Sequence, residues 1–397
     1  MRKKIPVKRA IVGMYVHQLC GNWVDSPFWK PSFKLSSTKE LKSLQSSNIR
    51  DIWIDTNKGK DIDEPEKVNI DASLLVKVSQ PDSCTEHSAC FEEELENARR
   101  IQTKAATVVT SMFNEVRMGN ALQTENAIPL ANEIYLSVVR NPSALISLTR
   151  LKTKDDYTYM HSVAVCALMI ALGRKMGVDE DTVKSLGMAG LLHDVGKMVI
   201  PDLILNKPGK LTDEEFGLIK SHPERGWEML KESEDVDDIA RDVCLHHHER
   251  VDGTGYPEKL TGDNLSLFAK MGAVCDVYDA ITSNRSYKDG WSPAESIRKM
   301  ASWKNGHFDE KVFNAFVSTV GIYPAGTLIK LSSGRLGVVT DQSNQGLLKP
   351  IVKVFYSTTT MSNIPPKILN LAKSSETITS LEDPATWNID LKPINGF

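Results

Sequence analysis

The sequence predicts a mainly α protein in which a helical body is set between a small β-rich N-terminal domain and a β-containing C-terminal segment. Three observations carry this expectation. From Phe91 the apolar residues fall into helical periodicity, first in "FEEELENARRIQTKAATVVTSMFNEVR" and then in "AIPLANEIYLSVVR", and the pattern runs on to about residue 320. Residues 1–60 instead hold short β-branched and aromatic runs split by Gly, Pro, Ser and Asn. Beyond Gly321, "GTLIKLSSGRLGVVTDQ" and "KPIVKVFYST" return to strand-like runs joined by turn residues.

In chain order, "AIVGMYVHQL", "FKLSS" and "IRDIWIDT" are the strand candidates of an accessory domain at 1–60. Residues 61–90 are polar, broken by proline, and read as a linker. Connecting helices are expected at 91–140, the main helical domain at 141–325, and a β-containing segment with a weakly patterned tail at 326–397. "SVAVCALMIALG", the longest apolar stretch, falls short of the roughly 20 residues that a membrane span needs. Thr212 and Glu215 form a capping-box start for "LTDEEFGLIK", and Pro223 kinks or ends that helix just after His222. There is no internal repeat and no low-complexity tract.

A chain of 397 residues has room for two or three domains, and 25% charged with 41% hydrophobic residues is ordinary for a globular protein. The net charge of −3 argues against a broad electrostatic grip on a nucleic-acid polymer, though a local basic cluster can still hold a small anion. The six cysteines are scattered with no CxxC pair, which fits reduced thiols in the cytoplasm. The basic opening "MRKKIPVKRAIVGMYVHQL" lacks the cleavage site of a secretory leader.

Six of the nine histidines lie between His161 and His248, and clustered His with Asp suits Fe, Mn or Zn. His161 shares a helix face with Val165, Leu168 and Leu172, where a lone histidine reads as a satisfied core residue. His193 and Asp194 are adjacent in "AGLLHDVGK", where a helix breaks at Gly196; the pair reads either as an ordinary helix end or as a metal-bridging carboxylate beside its imidazole. His222 lies in "SHPERG", and "LHHHERVDGTGYP" places three histidines in a row ahead of a glycine-rich turn. On the next helix, Phe268, Gly272, Asp276 and Asp279 can share one face, and two carboxylates on an apolar face are costly unless paired or bound to metal. Several such features on neighbouring helices point to one inward-facing site.

In this order the motifs "HDVGK", "SHPERG", "HHERVDGTGYP" and "DVYDAITSNRSYK" resemble the HD-GYP family, a subgroup of the HD-domain metal-dependent phosphohydrolases, over residues of about 140–325. "GMYVHQL", "DSPFWKPSFKL" and "DIWIDTNKG" resemble a module often found ahead of such domains. The resemblance implies an HD-type helical bundle that holds two divalent transition-metal ions, Fe or Mn first, with Zn, Ni or Co as alternatives. The implied ligands are His161, His193, Asp194, His222, His247, His248 and Asp276, with His246 outside the set. Some members hold a third metal through a glutamate one turn before the first histidine; Tyr157 stands there, so two metals are expected.

The implied activity is hydrolysis of a cyclic dinucleotide, cyclic di-GMP or 3′,3′-cyclic GMP-AMP, by in-line attack of a metal-bridging hydroxide. Lys197, Arg285 and Lys288 match positions that contact substrate phosphates, and Gly255, Tyr256 and Pro257 match the loop beside the substrate. Lys197 and the Arg285/Lys288 pair would stabilise charge on the non-bridging phosphate oxygens, and Asp279 would orient Arg285 or a ligand histidine. Gly253 and Gly255 would permit backbone shapes and close approach that a Cβ blocks, while Tyr256 either faces a purine or anchors the turn. Two alternatives stay open: a low-turnover receptor that signals through the N-terminal module, and a general nucleotide hydrolase, against which "DGTGYP" and "NRSYK" argue. The expected partner is the substrate, with neither nucleic-acid polymer nor membrane; a homodimer and a signalling partner for the N-terminal domain are left open.

Overall fold

The computed structural model describes residues 2–7, 10–20, 32–45, 51–60, 91–149, 157–207, 209–283, 290–303, 306–343, 346–389 and 391. The chain divides into two compact units, Met1–Ser79 and Gln80–Phe397. The expected linker at 61–90 lies outside the described residues.

Among the described residues, the first unit is a four-stranded antiparallel sheet with one helix. Its elements are β1 (Arg2–Pro6), β2 (Tyr15–Cys20), β3 (Phe33–Lys34), α1 (Thr38–Gln45) and β4 (Asp51–Asp55), in the order β1-β4-β2-β3. In "DIWID" Ile52 and Ile54 are fully buried while Trp53 is partly exposed, the period-two alternation of a half-buried strand. Ile5, Val7, Ala10, Met14, Val16, Leu35 and Leu44 join them in this small core.

The second unit opens with α2 (Phe91–Arg117), α3 (Ala127–Arg140) and α4 (Pro142–Thr149). Buried Glu94 on α2 accepts from Arg140 Nε and Ser137 Oγ on α3, each at 2.6 Å, so the two helices are tied by a charged hydrogen bond as well as by apolar packing. The central helix is α5 (Tyr157–Lys175), followed by α6 (Glu180–Leu192). α5 carries the longest apolar stretch, and from Val163 to Leu172 every residue is buried, as befits a helix that is apolar all round. No helix among the described residues is long and apolar enough to cross a membrane.

A 3-10 turn (Val195–Val199) leads to α7 (Asp202–Leu205), α8 (Asp213–Lys220), α9 (His222–Lys231), α10 (Asp238–His246), α11 (Leu267–Thr282), α12 (Pro293–Trp303) and α13 (Glu310–Val320). The capping box of α8 is present, with Thr212 Oγ1 accepting from Glu215 N–H and the Glu215 carboxylate accepting from Thr212 N–H. The break falls at Ser221, so His222 begins α9 instead of ending α8. Pro223 then occupies the first turn of α9, where its missing N–H costs no helical hydrogen bond.

The chain closes with β5 (Leu328–Leu331), β6 (Arg335–Asp341), β7 (Ile351–Ser357), β8 (Ser362–Asn370), β9 (Ile378–Leu381) and α14 (Pro384–Trp387). All strand pairs of this five-stranded sheet, ordered β8-β7-β6-β5-β9, are antiparallel. β8 carries Pro365 and Pro366, which is tolerated because it is an edge strand and the pair falls where its register against β7 slips. Asp341 at the end of β6 accepts from Asn141 Nδ2 at 3.0 Å and from Ser143 Oγ at 2.6 Å. Asn141 in turn caps α4 by accepting from the backbone of Ser143 and Ala144, so the sheet is fastened to a helix start.

Candidate metal centre

Three helix ends and two helix interiors supply the site. His161 comes from α5, Asp276 and Asp279 from α11, and His193 and Asp194 from the end of α6; His222 is the first residue of α9, and His247 and His248 follow α10. All are buried except His248, which is partly exposed. Close backbone packing brings them together. A Cβ on Gly196 would lie 2.0 Å from His222 O, so only glycine lets the turn after Asp194 rest on the first turn of α9.

The imidazoles are fixed by their own backbone. His193 Nδ1 donates to Gly190 O at 2.8 Å, His222 Nδ1 to Ile219 O at 2.7 Å, and His247 Nδ1 to Cys244 O at 2.9 Å. A carbonyl only accepts, so the ring proton sits on Nδ1 and the Nε2 lone pair of the neutral ring faces inward. His161 is oriented by a carboxylate, its Nδ1 lying 2.6 Å from Asp279 Oδ2. Of the two partners expected for Asp279, the histidine is the one in place, while Arg285 lies outside the described residues.

Asp194 stands between two groups. Its Oδ1 is 3.2 Å from His222 Nε2 and 3.7 Å from His247 Nε2, while its Oδ2 is 3.4 Å from both His161 Nε2 and His193 Nε2. The donor atoms of Asp194, His222, His247 and His248 all lie within 4.8 Å of one another, as do those of His161, His193 and Asp276. Asp276 reaches across both groups, with Oδ1 3.0 Å from His161 Nε2 and Oδ2 3.6 Å from His248 Nδ1.

Electrostatics prepare these groups to bind a cation. Burial holds His193 below the usual imidazole range, drives His247 well below it with help from the neighbouring imidazoles, and pushes His248 down to about 3. Burial opposes ionisation of Asp194, yet the Lys197 ammonium 2.5 Å away and the imidazoles hold it well below the carboxylate range. Asp276 is likewise held low against burial, first by its hydrogen bond with His161. His161 itself is raised, because hydrogen bonds with Asp276 and Asp279 outweigh its burial.

The donor set fits metal on internal grounds. Asp194 Oδ1 is buried with no hydrogen-bond donor, and His222 Nε2 and His247 Nε2 face each other at 3.3 Å. Three lone-pair atoms converging without a proton between them repel one another unless a cation lies among them. Nitrogen and carboxylate donors in this mixture suit divalent transition metals.

The loop after His248 lies at the rim. Tyr256 packs against His248 with ring centroids 4.8 Å apart and planes tilted by 32°, and the Tyr256–Pro257 peptide is cis. The two glycines divide their work: Gly253 takes φ +74°, and Gly255 lies so close to Glu249 and Arg250 that a Cβ would fall 2.4 Å from Glu249 Cα. His246 sits apart from the cluster, with Nδ1 2.8 Å from Asp242 and Nε2 3.2 Å from Glu258. Arg285 and Lys288 lie outside the described residues, and Tyr157 opens α5 one turn before His161. Sequence reasoning passed over Glu249, a buried carboxylate that accepts from the backbone of Glu258, Lys259 and Leu260; only its place directly after two clustered histidines could have marked it.

Comparison with known proteins accords with this geometry. The HD domain family model matches residues 138–312, and a domain of unknown function (DUF3391) matches residues 2–127. A protein of Pseudomonas aeruginosa named cyclic di-GMP phosphodiesterase PA4108 is 51% identical over 391 residues, covering 98% of this chain and 94% of that protein. The cyclic di-GMP phosphodiesterase response regulator RpfG of Xanthomonas campestris is 38% identical over 43% of this chain and 47% of its own length. A Vibrio cholerae protein named 3′3′-cGAMP-specific phosphodiesterase 2 is 36% identical over 41% of this chain and 31% of its own. The matched HD domain and near full-length likeness lead to one conclusion: this chain belongs to the HD-GYP family of HD-domain phosphohydrolases, with an accessory domain ahead of the catalytic one.

Proposed function

We propose that the chain is a phosphodiesterase that opens cyclic di-GMP, 3′,3′-cyclic GMP-AMP or both to the linear dinucleotide, with two divalent ions, iron or manganese, in the histidine–aspartate centre. The observation that carries this reading is Asp194, whose two carboxylate oxygens face two separate groups of imidazoles. Its relatives are named for cyclic di-GMP and 3′3′-cGAMP hydrolysis.

Bound here, a metal pair would supply Lewis acidity toward the phosphate and a water of lowered pKa. The rest falls to the protein. Asp194 would bridge, with His161, His193 and Asp276 on one side and His222, His247 and His248 on the other. Asp279 holds His161 in the orientation that points Nε2 inward. The Lys197 ammonium, partly exposed beside Asp194, is placed to offset charge on a non-bridging phosphate oxygen. Arg285 and Lys288 join it in this proposal on the strength of their motif, and Tyr256 gives the rim an aromatic ring for a base.

Metal-loaded protein is expected to convert cyclic di-GMP to its linear form, resolved by separating the products, and to lose that activity on exhaustive chelation and regain it with Fe(II) or Mn(II). Metal analysis should give two equivalents per chain. Full rate after chelation would sink the reading, and tight binding without turnover would establish a receptor instead. Running cyclic di-GMP beside the 3′,3′ and 2′,3′ forms of cyclic GMP-AMP fixes the preferred substrate.

A further inference from the structure

We infer that Glu249 is a positioning residue, which holds the loop 250–260 so that Tyr256 lies over His248; the inference rests on the cyclic-dinucleotide reading of the site. Its side chain is almost wholly buried, at 2% exposure, between two clustered histidines and the loop they precede. Oε1 accepts from the backbone N–H of Glu258 at 2.7 Å and of Lys259 at 2.8 Å, and Oε2 accepts from that of Leu260 at 3.2 Å. Three successive N–H groups closing on one anion form a backbone nest.

A second, independent feature marks the same turn. Lys259 adopts φ +58°, a left-handed conformation uncommon outside glycine. The carboxylate inside the nest is what stabilises that turn. The loop is thus stitched at both ends to the residues that follow α10. Tyr256 N–H donates to His248 O at 3.3 Å, Gly255 rests on the backbone of Glu249 and Arg250, and Glu249 secures 258–260. The return of the loop is also held by His246 Nε2 beside Glu258, by Gly262 N–H donating to Val251 O at 2.9 Å and by the Asp252–Thr261 bridge, so what Glu249 governs is the 258–260 turn itself. Glu249 is not one of the residues whose donor atoms cluster, and its carboxylate bonds the 258–260 amides, so its effect runs through Tyr256 and the loop.

The test uses the full-length, metal-loaded protein and the variants Glu249→Ala, Glu249→Gln, Lys259→Gly and Glu249→Ala/Lys259→Gly. Two substrates are compared: cyclic di-GMP, which needs the rim, and bis(4-nitrophenyl) phosphate, a small diester that needs only the centre. Glu249→Ala is expected to lose about 10–100-fold in kcat/KM on cyclic di-GMP, chiefly through KM, while the small diester changes by less than about threefold and metal content holds. Glu249→Gln, which keeps one accepting oxygen but turns an N–H₂ toward donors, should fall between. Lys259→Gly should restore part of the loss in the double variant, since glycine takes the left-handed turn without the nest. Hydrogen exchange supplies a readout free of substrate: the amides of Glu258, Lys259 and Leu260 should be protected in the wild type and released in Glu249→Ala.

Equal losses on both substrates with metal lost would make Glu249 a support for His248 and overturn the loop role. So would unchanged kinetics on cyclic di-GMP, or unprotected amides in the wild type. A wild-type enzyme that cleaves the small diester but no cyclic dinucleotide overturns the underlying substrate reading, whatever the amides show.

Discussion

Asp194→Ala is expected to lower cyclic-dinucleotide hydrolysis by at least about 10³-fold, since losing a group that contributes several kcal/mol to a metal-assisted reaction costs a factor of ten per 1.36 kcal/mol. The physical reason lies in its two oxygens. Oδ1 faces His222 and His247, and Oδ2 faces His161 and His193, so its loss leaves Asp276, which faces His161 and His248, to span the two groups without the central carboxylate. The helical fold should survive, because the deletion also removes a buried acceptor that has no donor. Thermal unfolding with and without metal separates the two effects. Added Mn(II) should raise the wild-type midpoint, as a ligand bound only by the folded state does, and raise that of the variant far less. Residual turnover within about tenfold of wild type would refute the assignment, because even partners behind a metal's direct ligands commonly contribute 10–100-fold.

Gly196→Ala should be the most damaging single methyl group in the catalytic domain. The added carbon would meet His222 O at 2.0 Å and Gly226 N at 2.5 Å, both main-chain atoms that no rotamer change can move. The turn carrying Asp194 must then withdraw from α9, which carries His222. We expect a stability loss at or above the upper end of the roughly 1–3 kcal/mol typical of overpacking, together with reduced metal occupancy. Gly217→Ala is the control: nothing lies within 4 Å of the added carbon, and its helical position should make that variant more stable by about 0.5–1 kcal/mol. Urea unfolding and metal analysis of the two variants check both expectations; equal midpoints would show that the contact at Gly196 is not what seats the turn.

The helical body was legible because one-sided burial writes itself as periodicity, and α3, whose buried Ala127, Leu130, Ala131, Ile134 and Val138 recur at helical spacing, is a clear case. The clustered histidines were legible because ligand spacing at helix ends is local in the chain. Other features hide from such reading. β1 is "RKKIP", whose charges mask a strand that is specified by pairing with β4. β8 contains two adjacent prolines, and the sequence does not say that it forms a sheet edge where they fit. Asp279 had two candidate partners, and its contact with His161 spans 118 positions that no local pattern encodes. Glu249, one acid among the polar residues of a loop, looks like any solvated carboxylate until its burial is seen.

Three of the imidazoles are latched through Nδ1 to the helical turn that carries them. They have no independent swing, so the bite of the pocket is inherited from the main chain. Reshaping the pocket would require shifting those helix ends, because swinging a ring alone would first break the hydrogen bond that holds it.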